Sequence, residues 1–325
     1  MSPSCLSSVS INLSSINSTQ YPSPNQTDIN TFNVPEHFSH YPAGIANNAV
    51  EVKTAINKVI NTSSKIRHSN PDNNPFAICH CTAFPDQLIF LSCIIELAWI
   101  NNNVTEELEH KAAMAKHDIL IEAMSFENLI KADIGYFNSR EMLFGLLVQK
   151  ACGVDPASAP AVVKVLTNYL RTFDASDEDF TTMDKYNPYR VANCGYWISS
   201  FFIRWGMDLT LTDAEYAQIA SFDLSMGIIL GLTNDYYSWT VEKDQLTDRM
   251  RNAVRVLMNE YNVPDTIAKS LLRGLIVDEE EKAARLKREI LDDGPSAAVM
   301  QYIDAIELYV GGSCYWHATA PRYRV

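Results

Sequence analysis

No stretch of this 325-residue chain runs to 18 consecutive apolar residues, so the sequence offers no membrane span by composition. Its start, Met1-Ser2-Pro3-Ser4-Cys5-Leu6, has neither the basic opening nor the apolar core of a secretory signal. A cytoplasmic location is the expectation. Basic clusters are missing as well: 26 Lys and Arg stand against 39 Asp and Glu, a net charge of −13 that argues against a nucleic-acid partner. The seven cysteines are scattered, several inside apolar helical runs, as expected of reduced thiols. Cys79-His80-Cys81 has no second pair nearby and is weak evidence for zinc, which needs four well-spaced ligands. Sequons at Asn12, Asn17, Asn25, Asn61 and Asn103 matter only in a secreted chain. The sequence shows no repeats and no strand alternation, and nothing in it marks a second domain.

What is present is helical. With 47% hydrophobic and 10% aromatic residues the chain is globular and can bury a sizeable core. Residues 1–45, rich in Ser, Asn, Thr and Pro, read as a loose N-terminal tail and lead-in segment. Residues 46–325 read as a single α-helical domain. Apolar spacing and punctuation predict helices over 48–67, from Pro85 to about Ile100, and over 105–124, 141–152 and 157–173. Further helices are predicted over 213–244, up to Tyr261, over 263–293, and from Pro295 to Gly311 and beyond. Short connections between about ten helices imply an all-α bundle with its site in the core between facing helices.

The central helix carries Asn234, Ser238 and Glu242 at i, i+4 and i+8, each step advancing only about 40° around the axis. They form one polar stripe. Such a stripe can decorate a solvated face, but the turns before it, Ser225 to Leu232, are apolar with small residues, so it continues a buried helix. An amide oxygen, a hydroxyl and a carboxylate are hard oxygen donors, which suits Mg²⁺ together with a substrate phosphate.

The string Asn234-Asp235-Tyr236-Tyr237-Ser238-Trp239-Thr240-Val241-Glu242 resembles the second metal-binding motif of class I terpene cyclases, most closely the cyclase domains of fungal chimeric diterpene and sesterterpene synthases. Three more stretches follow the family's order. By position Asn102, Asn103 and Glu106 match the ligands of its first, Asp-rich motif, with two amides where the family has aspartates. Two negative charges are thereby lost, so Mg²⁺ affinity should drop. Glu96 lies seven residues before Asn103, on nearly the same helical face, and either compensates in part or is paired at the bundle rim. In Tyr189-Arg190-Val191-Ala192-Asn193-Cys194-Gly195 the resemblance makes Arg190 the residue that senses diphosphate, consistent with a guanidinium's bidentate donors. Otherwise Arg190 is a buried ion-pair partner. Gly195 marks a helix break or a close approach of backbone to substrate. Arg322-Tyr323 resembles the C-terminal pair that donates to diphosphate on closure, and Lys243, next to Glu242, is a candidate phosphate contact.

The resemblance thus implies a class I terpenoid-synthase-like bundle with a central active-site cavity. It implies an isoprenyl diphosphate substrate, geranylgeranyl diphosphate first and geranylfarnesyl diphosphate second, and on the order of three Mg²⁺ ions with the diphosphate. Arg190, Arg322 and Tyr323 would stabilise the departing diphosphate. Phe90, Trp99, Trp197, Phe201 and Trp316 are candidate walls of an apolar cup, and each can equally be ordinary core. A covalently linked prenyltransferase domain in the full-length protein is expected from the chimeric relatives, the present chain being either that excised cyclase domain or a stand-alone enzyme. A chain-elongating prenyltransferase would need two Asp-rich motifs, and none is intact here. A non-catalytic isoprenoid-binding protein is the alternative that Asn102 and Asn103 raise.

Overall fold

A computed structural model of the chain describes residues 26–63, 73–105, 108–125, 127–128, 136–173, 179–244 and 251–324. Among them are twelve α-helices. In chain order these are α1 (Ala49–Ser63), α2 (Pro75–Cys79), α3 (Pro85–Thr105), α4 (His110–Ala123), α5 (Ser139–Val154) and α6 (Ala159–Thr172). They continue as α7 (Met183–Asn193), α8 (Tyr196–Gly206), α9 (Asp213–Glu242), α10 (Ala253–Tyr261), α11 (Asp265–Asp292) and α12 (Ala297–Thr319), closed by a 3-10 turn over Pro321–Tyr323. The all-α bundle expected from the sequence is the fold observed.

α3 and α9 are its two central rods. α9 starts where Thr212 and Glu215 form a capping box, and it runs 30 residues without proline. It packs on α7, α11 and α12, while α3 packs on α1, α5 and α8. Both rods are long and apolar enough to cross a membrane by length and composition, but 72% and 61% of their apolar windows are buried inside the bundle. Their hydrophobicity serves the core. The two largest core clusters gather around these rods, one including Phe222, Met226 and Ile229, the other Leu91, Ile94 and Leu97.

The structure departs from the sequence reading at several edges. α3 continues through Thr105, so Asn102 and Asn103 sit on its last turn and not in a following loop. α4 starts at His110, with Glu109 at its N-cap, while Glu106 and Glu107 lie outside the described residues, as do positions 64–67 of the first expected helix. Between α7 and α8 the chain breaks at Gly195, whose φ of +76° lies in the left-handed region that glycine adopts without strain.

Strands also occur, which the sequence did not suggest: β1 (Gln26–Ile29) pairs antiparallel with β2 (Ala43–Ala46), Gln26 opposite Ala46. Four-residue strands are too short to show a pattern of two. The intervening segment is pinned by side chains. Ser39 Oγ and the backbone N–H of His40 donate to the buried Glu280 carboxylate at 2.5 and 3.0 Å. Phe38 stacks on Tyr237 with centroids 5.9 Å apart, and the Tyr237 hydroxyl donates to the Glu36 carbonyl at 2.6 Å. The Tyr41 and Pro42 carbonyls lie directly over Gly311 of α12, where a Cβ would collide with both. Gly311→Ala should therefore destabilise the protein by about 1–3 kcal/mol by prising this segment off α12. Gly274→Ala, on the open face of α11 where nothing lies within 4 Å, should stabilise it by about 0.5–1 kcal/mol. Denaturant midpoints check both, and equal effects would contradict the close-approach reading.

Candidate active site

One cavity of about 240 Å³ opens between α3, α7, α9 and α12. Three of these helices line it with a graded face. On α3 the lining runs from Ile95 through Trp99 to Asn102 and Asn103; on α9 from Leu230 through Asn234 to Glu242; on α12 from Tyr309 through Ser313 to Trp316 and His317, then Arg322 and Tyr323 beyond. Each passes from apolar to polar towards its own C-terminus. Three helix C-termini, with their unpaired carbonyls and partial negative charge, thus gather at the polar end and favour cations there.

Arg190 reaches this end from α7. Its side chain crosses α9 at Gly231, where an added Cβ would lie 2.9 Å from Arg190 Cγ. Nη2 donates to Asn234 Oδ1 at 2.6 Å and lies 2.8 Å from Asp235 Oδ1, and Nη1 donates to Asn193 Oδ1. Asn193 is held in turn by donating to the Phe173 carbonyl at 2.6 Å. Asp235 also accepts from the Tyr186 hydroxyl at 2.6 Å and from the Ala253 N–H at 3.0 Å. Burial pushes the Asp235 carboxyl up, to about 6, against the pull of Arg190 and Tyr186. Burial opposes the Arg190 charge as well, but Asp235 and Tyr186 outweigh it and hold the guanidinium charged. Its Nε is enclosed with no hydrogen-bond partner among the described residues.

His317 sets the direction of the Asn234 amide. Its Nδ1 donates to the Ser313 carbonyl at 2.7 Å, so Nε2 carries the lone pair that accepts from Asn234 Nδ2 at 3.0 Å. The amide oxygen must then face Arg190 and the cavity. Burial lowers the His317 pKa to about 3, which keeps the ring neutral for this task. Tyr237 and Tyr323 stack on the ring, their centroids 5.8 and 5.1 Å from its own.

Asn252, at the N-cap of α10, ties the stripe together. Its buried Nδ2 lies within donating distance of the Asp235 carbonyl (3.1 Å), Ser238 Oγ (3.3 Å) and Glu242 Oε2 (3.0 Å). Sequence reasoning passed over Asp235, His317, Asn252 and the cavity-lining Arg251, because their roles lie in contacts across the fold. The Asn252-Ala253 start of a helix was the one local signal, and it pointed only to a cap.

The structure brings Asn102, Asn103, Asn234, Glu242, Arg190, Arg322 and Tyr323 to one cavity, with Trp99 and Trp316 as aromatic walls 6.2 Å apart between centroids. Ser238 is 3% exposed behind them, held by Asn252, and Lys243 points to solvent. Phe90 does not line the cup: it is 2% exposed in the core around α3, and half-buried Phe201 packs against the same core. Trp197 is 45% exposed and packs edge-on against Tyr196 instead. Glu96 is fully buried, so it does not sit at a rim, and it is not among the residues that line the cavity. Glu106 lies outside the described residues. Amide oxygens from two helices with one carboxylate suit a hard divalent cation, but with little charge of their own they favour one that brings an anionic oxygen ligand with it.

The family described as terpene synthase family 2, C-terminal metal binding, matches residues 151–282, a span that includes Arg190 and the whole Asn234–Glu242 stripe. Talaropentaene synthase of Talaromyces verruculosus is 24% identical over 261 residues, 76% of this chain and 37% of its own length. Fusicoccadiene synthase of Phomopsis amygdali is 25% identical over 253 residues, 74% of this chain and 35% of its own. The chain thus spans little more than a third of the length of these relatives. Aristolochene synthase from Penicillium roqueforti shares the fold, with a TM-score of 0.70 at 19% identity over 88% of this chain and 98% of that one.

Replacing Asp235 by Asn should destabilise the protein by about 3–5 kcal/mol, since Arg190 would remain buried beside a neutral partner. Chemical denaturation checks this, and a loss below about 1 kcal/mol, the worth of an exposed pair, would contradict the geometry.

Proposed function

We propose that this chain, a relative of the class I terpene cyclases, ionises and cyclises a linear isoprenyl diphosphate with the help of Mg²⁺. Geranylgeranyl diphosphate is the substrate favoured, with geranylfarnesyl diphosphate second, on the resemblance of the Asn234–Glu242 string to fungal diterpene and sesterterpene synthases. The observation that carries the reading is the convergence of Arg190, Arg322, Asn234, Glu242, Asn102 and Asn103 on the polar end of one otherwise aromatic and apolar cavity.

In this reading Arg190 and Arg322 hold the diphosphate by charge and paired donors, and the Tyr323 hydroxyl adds a third donor. Asn234, Ser238 and Glu242 on α9, with Asn102, Asn103 and Glu106, are the residues to hold Mg²⁺, which when bound supplies charge to stabilise the leaving diphosphate. As the allylic C–O bond breaks, its electrons leave with the diphosphate and positive charge stays on the chain. Trp99 and Trp316 line that space with their rings, whose faces can stabilise the positive charge.

A second reading is an isoprenoid-diphosphate binder without turnover. It is favoured by the neutral Asn102 and Asn103 and by Asn252, which already engages Ser238 and Glu242. Incubating the protein with farnesyl, geranylgeranyl and geranylfarnesyl diphosphates and Mg²⁺, followed by solvent extraction, separates the two. The expected result is a cyclic hydrocarbon from the C20 substrate; binding without any product would favour the second reading. The double variant Asn102→Asp, Asn103→Asp should raise turnover and tighten Mg²⁺ binding roughly thirtyfold or more, each of the two added charges being worth about 1 kcal/mol or more at contact distance. Unchanged Mg²⁺ dependence would show that this turn of α3 is not a metal site.

A further inference from the structure

The apolar end of the cavity holds a polar group that the roles above leave unused. Along α12 the cavity face steps from Tyr309 to Ser313 to His317, a rise of about 12 Å along the helix axis, and His317 is the residue that holds the Asn234 amide. His80, immediately after α2, sets its ring against Tyr309 with centroids 4.9 Å apart and an interplanar angle of 62°. It lines the cavity, yet it is only 2% exposed, and its Nδ1 is enclosed with no hydrogen-bond partner among the described residues. The contrast with His317, whose two ring nitrogens both have partners, is direct. A buried imidazole normally finds a hydrogen bond, so one left without it at the greasy end of a cavity calls for a reason.

We propose that His80 is the base that ends the cyclisation, taking a proton from the final carbocation. The inference rests on the function proposed above. In the step, a C–H bond next to the cationic carbon breaks, its electron pair becomes the π bond of the olefin, and the proton passes to the free lone pair of the cavity-lining imidazole. The resulting imidazolium passes the proton on to the released diphosphate or to water as the site opens. Burial lowers the ring's pKa to about 3, so it is neutral and ready to accept, and a C–H beside a carbocation is acidic enough to protonate so weak a base. The same weakness makes the imidazolium quick to give the proton up. A diphosphate held by Arg190 would lie towards the other, polar end of the cavity.

The test is the ratio of principal olefin to diphosphate released, measured for wild type, His80→Gln and His80→Asn, each checked for folding by its melting curve. Both variants keep a polar side chain of similar reach and lose the basic nitrogen. A tenfold or greater fall in the ratio, with isomeric olefins or alcohols in place of the principal product, is expected whatever happens to the overall rate. An unchanged ratio would overturn the assignment. So would a folded variant that releases no diphosphate, because a base acting after ionisation cannot be needed for it. If the wild type itself releases no diphosphate from any of the three chain lengths, the proposed function fails, and the role of His80 with it.

Discussion

A guanidinium cannot be buried beside an apolar helix unless something answers its charge, and in this protein Asp235 answers Arg190. Much of the polar end of the cavity follows from that pairing. Gly231 leaves room for the arginine to cross α9, Tyr186 and the start of α10 close around the carboxylate, and Asn193 steadies the second nitrogen. Because the pair fixes α7 and α10 against α9, it also fixes Arg190 and Asn252 relative to the Asn234, Ser238 and Glu242 stripe. A structural ion pair and a candidate recognition site are here the same object.

The charge balance of that site is unusual for one that gathers cations. Of the charged side chains lining the cavity among the described residues, three are arginines (Arg190, Arg251 and Arg322) and one is a carboxylate (Glu242). The neutral Asn102 and Asn103 add dipoles but no charge. An anionic ligand is thus favoured before any metal is counted, and the three helix C-termini are the main feature that still favours a cation. Cation and polyanion would then depend on each other to bind, each supplying the charge the other lacks.

The stripe of Asn234, Ser238 and Glu242 was legible because helical period and the apolar turns before it are local properties, and the all-α class was legible for the same reason. What escaped was tertiary. Asp235 stands inside the recognised string but points to Tyr186, 49 residues earlier, and no spacing rule reveals that. His317 looks like one more residue near a frayed end until Ser313 and Asn234 claim its two nitrogens. Phe90 and Trp197 were chosen for their rings, and composition cannot tell which side of a bundle a ring will face. The β1–β2 ribbon was invisible because it is held by backbone pairing and by distant partners such as Glu280, not by a pattern of its own.

The proposed function requires a polyanion and a cation to meet where α3, α7, α9 and α12 converge. Crystals grown with Mn²⁺ and inorganic diphosphate would show this directly through the metal's anomalous signal. The predicted result is diphosphate within hydrogen-bonding distance of Arg190 and Arg322, with at least one Mn²⁺ bridging it to Asn234 or Glu242. Diphosphate bound elsewhere, or Mn²⁺ absent from the α9 stripe while diphosphate occupies the cavity, would contradict it.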